Sequence, residues 1–126
     1  MDVTPRIAVA HQIVEGYGPG RFRVSGRTIE GPIIVFPDSV LTWAVDTAKP
    51  DFDGLVTAML SPEAERVDLL LIGCGARIML VPAEQRARLR QAGIVVEPMD
   101  TGAACRTYNV LLTEGRRVAV ALRPIT

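Results

Sequence analysis

Hydrophobic and polar positions alternate along the first third of the chain and fall at helical spacing over much of the rest. Ile7, Val9, His11 and Ile13 share one face of a period-2 stretch, with Ala8, Ala10, Gln12 and Val14 on the other, which predicts a strand. The turn Gly16-Tyr17-Gly18-Pro19-Gly20 is expected to end it, because glycine and proline disfavour a continuing ladder. Arg21-Phe22-Arg23-Val24 alternates cleanly and predicts a half-buried strand with its arginines outward. Ser25-Gly26 turns the chain into a short Arg27–Glu30 segment, and Gly31-Pro32 turns it into Ile33-Ile34-Val35-Phe36. After Pro37-Asp38, the residues Leu41, Trp43 and Val45 align on one face of a further strand. The expected arrangement is a meander of short antiparallel strands.

The second half changes period. Phe52, Leu55, Val56, Met59 and Leu60 predict an amphipathic helix, with Asp51 placed to cap it and Ser61-Pro62 to end it. Val67–Ile72 is nearly all apolar, as expected of a strand covered on both faces. A helix follows, with Pro82 at its first position, Glu84 and Arg88 as an i,i+4 pair, and Gly93 as its stop. Ile94–Glu97 reads as a second buried strand. A helix then runs from about Thr101 to Glu114, with Gly115 ending it and Ala104, Tyr108 and Leu111 as its buried stripe, Leu112 beside it. Arg117–Leu122 closes the sheet, with Val118, Val120 and Leu122 on one face. The order strand, helix, strand, helix, strand predicts an α/β sheet core with right-handed crossovers wherever neighbouring strands run parallel.

The 126 residues fit one domain, 1–126, with no internal repeat or linker. Fourteen basic and fourteen acidic residues cancel, which removes the usual argument for nucleic-acid binding and favours a protein partner over a charged polymer. No apolar run approaches the roughly 20 residues of a spanning helix. The start Met1-Asp2-Val3-Thr4-Pro5-Arg6 has no signal-peptide character. Two cysteines and one histidine, His11, suit neither a disulfide scaffold nor an ordinary metal site, so a reducing cytoplasm is the expected compartment.

Candidate chemistry is confined to two loops expected at the carboxyl ends of the strands, Gly73-Cys74-Gly75-Ala76-Arg77 and Met99-Asp100-Thr101-Gly102. The expected cleft lies between the Gly73–Arg77 loop and the N-terminus of the last helix, where a thiolate is favoured. One reading is a small enzyme or ligand-binding protein with Cys105 or Cys74 as an activated thiol and Arg77 or Arg106 beside it. The other is that both cysteines are small buried hydrophobes. Gly73-x-Gly75 holds only part of a nucleotide fingerprint and reads better as a tight turn. Arg86, Arg88 and Arg90 read as a solvated face. Asp100-Thr101 suits an N-cap. Asn109, at mid-helix beside a core tyrosine, must be hydrogen-bonded or exposed.

Three blocks are similar to one family of small proteins: Ile13-Val14-Glu15-Gly16-Tyr17-Gly18-Pro19-Gly20-Arg21-Phe22; Leu70-Leu71-Ile72-Gly73-x-Gly75; and Glu97-x-Met99-Asp100-Thr101-x-Ala103-Ala104-Cys105-Arg106-Thr107-Tyr108-Asn109-Val110-Leu111-Leu112, followed by Glu114–Arg117. The chain resembles the Mth938-like family of domains of unknown function, which includes mitochondrial complex I assembly factor 3. The resemblance spans essentially the whole chain. It implies a three-layer α/β domain with a central mixed sheet. It also implies a non-catalytic binding or assembly role, with respiratory-complex or translocase subunits as partners and at most peripheral membrane association. No cofactor or catalytic residue comes with it. The surface it implies comprises Gly73, Gly75, Asp100, Thr101, Cys105, Tyr108 and Asn109.

Overall fold

A computed structural model describes residues 12–43, 52–76 and 78–125. The expected strand over Ile7–His11, the cap Asp51 and the positions Val45 and Arg77 lie outside the described residues. Among the described residues, eight strands and three α-helices follow one another as β1 (Val14–Gly18), β2 (Arg21–Val24), β3 (Arg27–Glu30), β4 (Ile33–Val35), β5 (Val40–Thr42), α1 (Phe52–Met59), β6 (Leu69–Gly73), α2 (Ala83–Gln91), β7 (Val95–Met99), α3 (Thr101–Thr113) and β8 (Val118–Leu122).

The strands form two sheets, β1-β2-β3 and β5-β4-β8-β6-β7. Only the first is the expected meander. After Gly31 and Pro32 the chain leaves it, and β4 pairs antiparallel with β5 and β8 in the larger sheet. β6 runs parallel to both β7 and β8, so the larger sheet is mixed.

Alternation along the central strands sends side chains to two separate cores. Ile34, Leu70, Ile72, Ala119 and Ala121 pack against Leu55, Val56 and Met59 of α1 and Leu89 of α2. Ile33, Val35, Leu71, Val118, Val120 and Leu122 pack on the opposite side against Ala104, Cys105, Tyr108 and Leu112 of α3 and Val14, Phe22 and Val24 of the small sheet. The result is the three-layer α/β arrangement that the resemblance implied. α2 and α3 lie on opposite faces because their crossovers move in opposite directions along the sheet with one hand.

Several local expectations need correction. The β1 ladder runs through Gly16 and Gly18, paired with Arg23 and Arg21, and only Pro19-Gly20 forms the turn. Glycine weakens a ladder but keeps its N–H, whereas proline has none to give. Pro19 followed by Gly20 at φ +73° fits the two central positions of a type II turn. Ile94–Glu97 is not a strand buried on both faces: β7 is a sheet edge, with Val95 57% exposed, and Pro98 is tolerated there. Leu60 lies past the end of α1 and is exposed. Pro82 is the N-cap of α2, one position before its first helical residue. Arg88 pairs at 3.7 Å with Asp53 of α1, not with Glu84. On α3 Cys105 joins the buried stripe, and Leu111 is only partly covered while its neighbour Leu112 is buried.

Candidate functional site

The two loops singled out in the sequence do meet at the carboxyl ends of β6 and β7, and they close on one another. Cys74 N–H donates to Met99 C=O at 2.8 Å, Thr101 N–H to Gly75 C=O at 3.1 Å, and Arg123 N–H to Gly73 C=O at 2.9 Å. The Thr101 hydroxyl accepts from Gly75 N–H at 2.9 Å and donates to Arg123 C=O at 2.6 Å. Thr101 is fully buried, so one side chain ties together the loop after β6, the start of α3 and the exit of β8. Asp100 caps α3, its carboxylate accepting from Ala103 N–H at 2.8 Å. Capping therefore falls to Asp100 alone, and Thr101 acts as a cross-brace.

Gly73 shows how full this junction is. A Cβ there would lie 2.8 Å from Leu122 Cδ2, 3.1 Å from Thr101 Cα and 3.2 Å from Ala104 Cβ. The cleft expected between the Gly73–Arg77 loop and α3 is, in its described part, a packed joint. Gly75 does need glycine for its backbone, at φ +81°.

Both cysteines are buried and free. Burial pushes the Cys105 thiol up to about 12, outweighing the neighbouring Arg106 guanidinium and a backbone hydrogen bond that pull the other way. A nucleophilic thiol needs the opposite shift. Cys74 Sγ lies 3.6 Å from Ile72 C=O and 3.7 Å from Met79 C=O. The reading of both cysteines as small buried hydrophobes matches this geometry.

Tyr108 and Asn109 act together on the incoming chain. The Tyr108 hydroxyl donates to Gln12 C=O at 2.9 Å, and burial, followed by the Asp38 carboxylate, holds its phenol well above the usual range. Asn109 grips Val14 through both backbone groups. The polar groups of Thr101, Tyr108 and Asn109 are thus engaged internally. Sequence reasoning missed Gln12, Val14 and Arg123, which enter through backbone atoms that no residue type advertises.

Two clefts among the described residues lie elsewhere. One, of about 350 Å³, sits at the opposite ends of the central strands, between Pro37-Asp38, Pro62–Val67 and the end of α3. The other, of about 270 Å³, lies on the small sheet around Gly16, Gly18, Arg21 and Arg23. Among the described residues no group of three His, Cys, Asp or Glu side chains is placed to hold a metal ion, and no helix is long and apolar enough to cross a membrane.

Comparison with known proteins gives this geometry a family. Residues 14–123 match the family described as protein of unknown function (DUF498/DUF598). The chain is 42% identical over 112 residues to an uncharacterized protein of Rhodobacter capsulatus, covering 89% of this chain and 84% of that one. It is 32% identical over 124 residues to NADH dehydrogenase (ubiquinone) 1 alpha subcomplex assembly factor 3 of Danio rerio, covering 98% and 71%. Its structure is similar to that of a Bartonella henselae protein described as an outer membrane protein, with TM-score 0.83, 32% identity and coverage of 93% and 98%. It is also similar to a Bordetella pertussis protein described as a Mth938-like domain, with TM-score 0.78, 35% identity and coverage of 90% and 85%. The chain belongs to the DUF498/DUF598 family and has the Mth938-like fold.

Proposed function

We propose that this chain is a non-catalytic assembly module that works by binding a protein partner. The observation that carries the reading is the 32% identity, across 98% of the chain, to a relative named as an assembly factor. The junction at the strand ends agrees with it: Thr101, Tyr108 and Asn109 use their polar groups to hold the fold, and the Cys105 thiol is held protonated. In this reading the residues singled out in the sequence form a rigid frame, and the partner binds the surfaces that the frame presents. The protein acts in the cytoplasm, peripherally at the inner membrane, on subunits of a respiratory complex or a translocase.

The test is affinity isolation of the tagged chain, expressed at its native level, from mildly solubilised membranes of its own host. Co-purification of respiratory or translocase subunits in partly assembled form is expected. Recovery of neither class overturns the proposal.

A further inference from the structure

The outer face of the β1–β2–β3 sheet has a feature that the fold does not require. Register sets Gly16 opposite Arg23 and Gly18 opposite Arg21. In an antiparallel pair, directly opposed residues share a face. Phe22 and Val24 point into the core, so these four residues lie on the face turned away from it. Neither Gly16 nor Gly18 has a positive φ. Among the described residues a Cβ on Gly16 would meet nothing within 4 Å, and one on Gly18 would meet the Arg21 side chain alone, at 3.7 Å or more. Backbone conformation and packing would both admit a side chain at either position. What the glycines do is leave the sheet bare at Gly16 and covered only by the Arg21 side chain at Gly18, in a trough of about 270 Å³ that Arg23 and Thr28 also line.

Charge in the trough is incompletely met from within. Arg21 stands opposite Glu30 on the neighbouring strand, yet its guanidinium lies against Gly18, and no carboxylate of the described residues is within 4 Å of it. Among the described residues Arg23 pairs through Nε, at 3.5 Å from Glu15, whose carboxylate also accepts from Gly26 N–H.

We propose that this trough docks an extended segment of the assembly partner carrying acidic residues at alternate positions. Alternate side chains of an extended chain share one face, about 6.5–7 Å apart. Arg21 and Arg23, at alternate positions of β2, have that same backbone spacing, so two carboxylates of one segment can face two guanidiniums while bare Gly16 admits its backbone. A lipid surface fits less well. Clusters of about 4–8 basic residues mark anionic-lipid binding, whereas this face has two arginines flanked by Glu15 and Glu30. The inference rests on the assembly reading and names the surface and chemistry through which it would act.

The test is an NMR titration of the isotope-labelled full chain with a blocked pentapeptide, acetyl-Gly-Glu-Gly-Glu-Gly-amide. The same peptide with glutamine for glutamate, and vesicles of phosphatidylcholine with phosphatidylglycerol, are run in parallel. Shifts confined to Gly16, Gly18, Arg21, Arg23 and Thr28 are expected with the glutamate peptide alone. The paired change Arg21→Gln and Arg23→Gln is expected to weaken binding about tenfold. Gly16→Leu, which keeps both charges and fills the floor, is expected to weaken it comparably while the remaining spectrum stays native. Absent shifts, undiminished binding in Gly16→Leu, or vesicle binding through these residues would each overturn the inference. A silent titration beside a positive membrane isolation removes this docking mode alone. A positive titration beside an empty isolation removes the assembly reading instead.

Discussion

Asn109 of α3 holds Val14 by both of its backbone groups. Its Oδ1 accepts from Val14 N–H at 3.0 Å, and its Nδ2 donates to Val14 C=O at 2.6 Å. The side-chain amide thus takes the place of a neighbouring strand. It fastens β1, and with it the small sheet, to a helix 95 residues further along the chain.

Replacing Asn109 with Leu strands a partly buried donor and acceptor. Each unmet group costs about 1–3 kcal/mol, so a loss of roughly 2–4 kcal/mol is expected in urea unfolding. Hydrogen exchange at the Val14 amide should accelerate more than that at β6. Equal acceleration everywhere would mean that the clamp is not local.

Thr101→Val preserves shape and removes one hydroxyl. Gly75 N–H and Arg123 C=O then lose their common partner. A loss of about 2–4 kcal/mol is expected, and Thr101→Ser should recover most of it. Failure of serine to do better than valine would show that the methyl group, not the hydroxyl, carries the contribution.

Two glycines of the same junction should respond differently to alanine. At Gly73 the new methyl meets Thr101 backbone and the packed Leu122 and Ala104, which have little room to yield. A loss of about 1–3 kcal/mol is expected from overpacking of this kind. At Gly102 the methyl would collide with Tyr17 Oη, the free end of a side chain that is 43% exposed and can swing aside. Alanine also gains up to about 1 kcal/mol of helix propensity over glycine. Gly102→Ala should therefore lie within about 1 kcal/mol of wild type, as thermal unfolding would show.

The thiols should be inert in the native state. Iodoacetamide at pH 8 should label neither Cys74 nor Cys105 until denaturant is added. The pH dependence follows from the Cys105 proton, which the folded protein retains up to about 12 and the unfolded chain releases near 9.0. Between those values the unfolded state binds fewer protons, so stability falls as pH rises, by up to about 1.4 kcal/mol per pH unit from this one group. Cys105→Ala should flatten that slope, measured by urea unfolding between pH 8 and 11. An unchanged slope would assign it to other groups.

Much of the chain could be read locally. Asp100 as a cap and Gly93 and Gly115 as helix stops all hold, the glycines at φ +82° and +80°. Each depends on atoms within one helical turn. The candidate site was legible only as a set of residue types. Asn109 had to be satisfied by something, but its partner is a backbone group, and no side chain marks where a backbone group will be needed. Cys105 stood near a helix N-terminus, which lowers a thiol pKa, yet burial between α3 and the sheet outweighs that effect and reverses the sign.

The sequence by itself determined the order and type of nearly every described element, because periodicity, caps and turns act over a few neighbouring residues, while the three-layer class and the family followed from the resemblance of whole sequence blocks. Tertiary structure alone decided that β4 and β5 leave the small sheet, that β7 is an edge, and that the Gly73 junction is packed shut. Those outcomes depend on which distant strands and helices share a face. That is settled by the burial of two hydrophobic cores on either side of one sheet, and no local pattern encodes it.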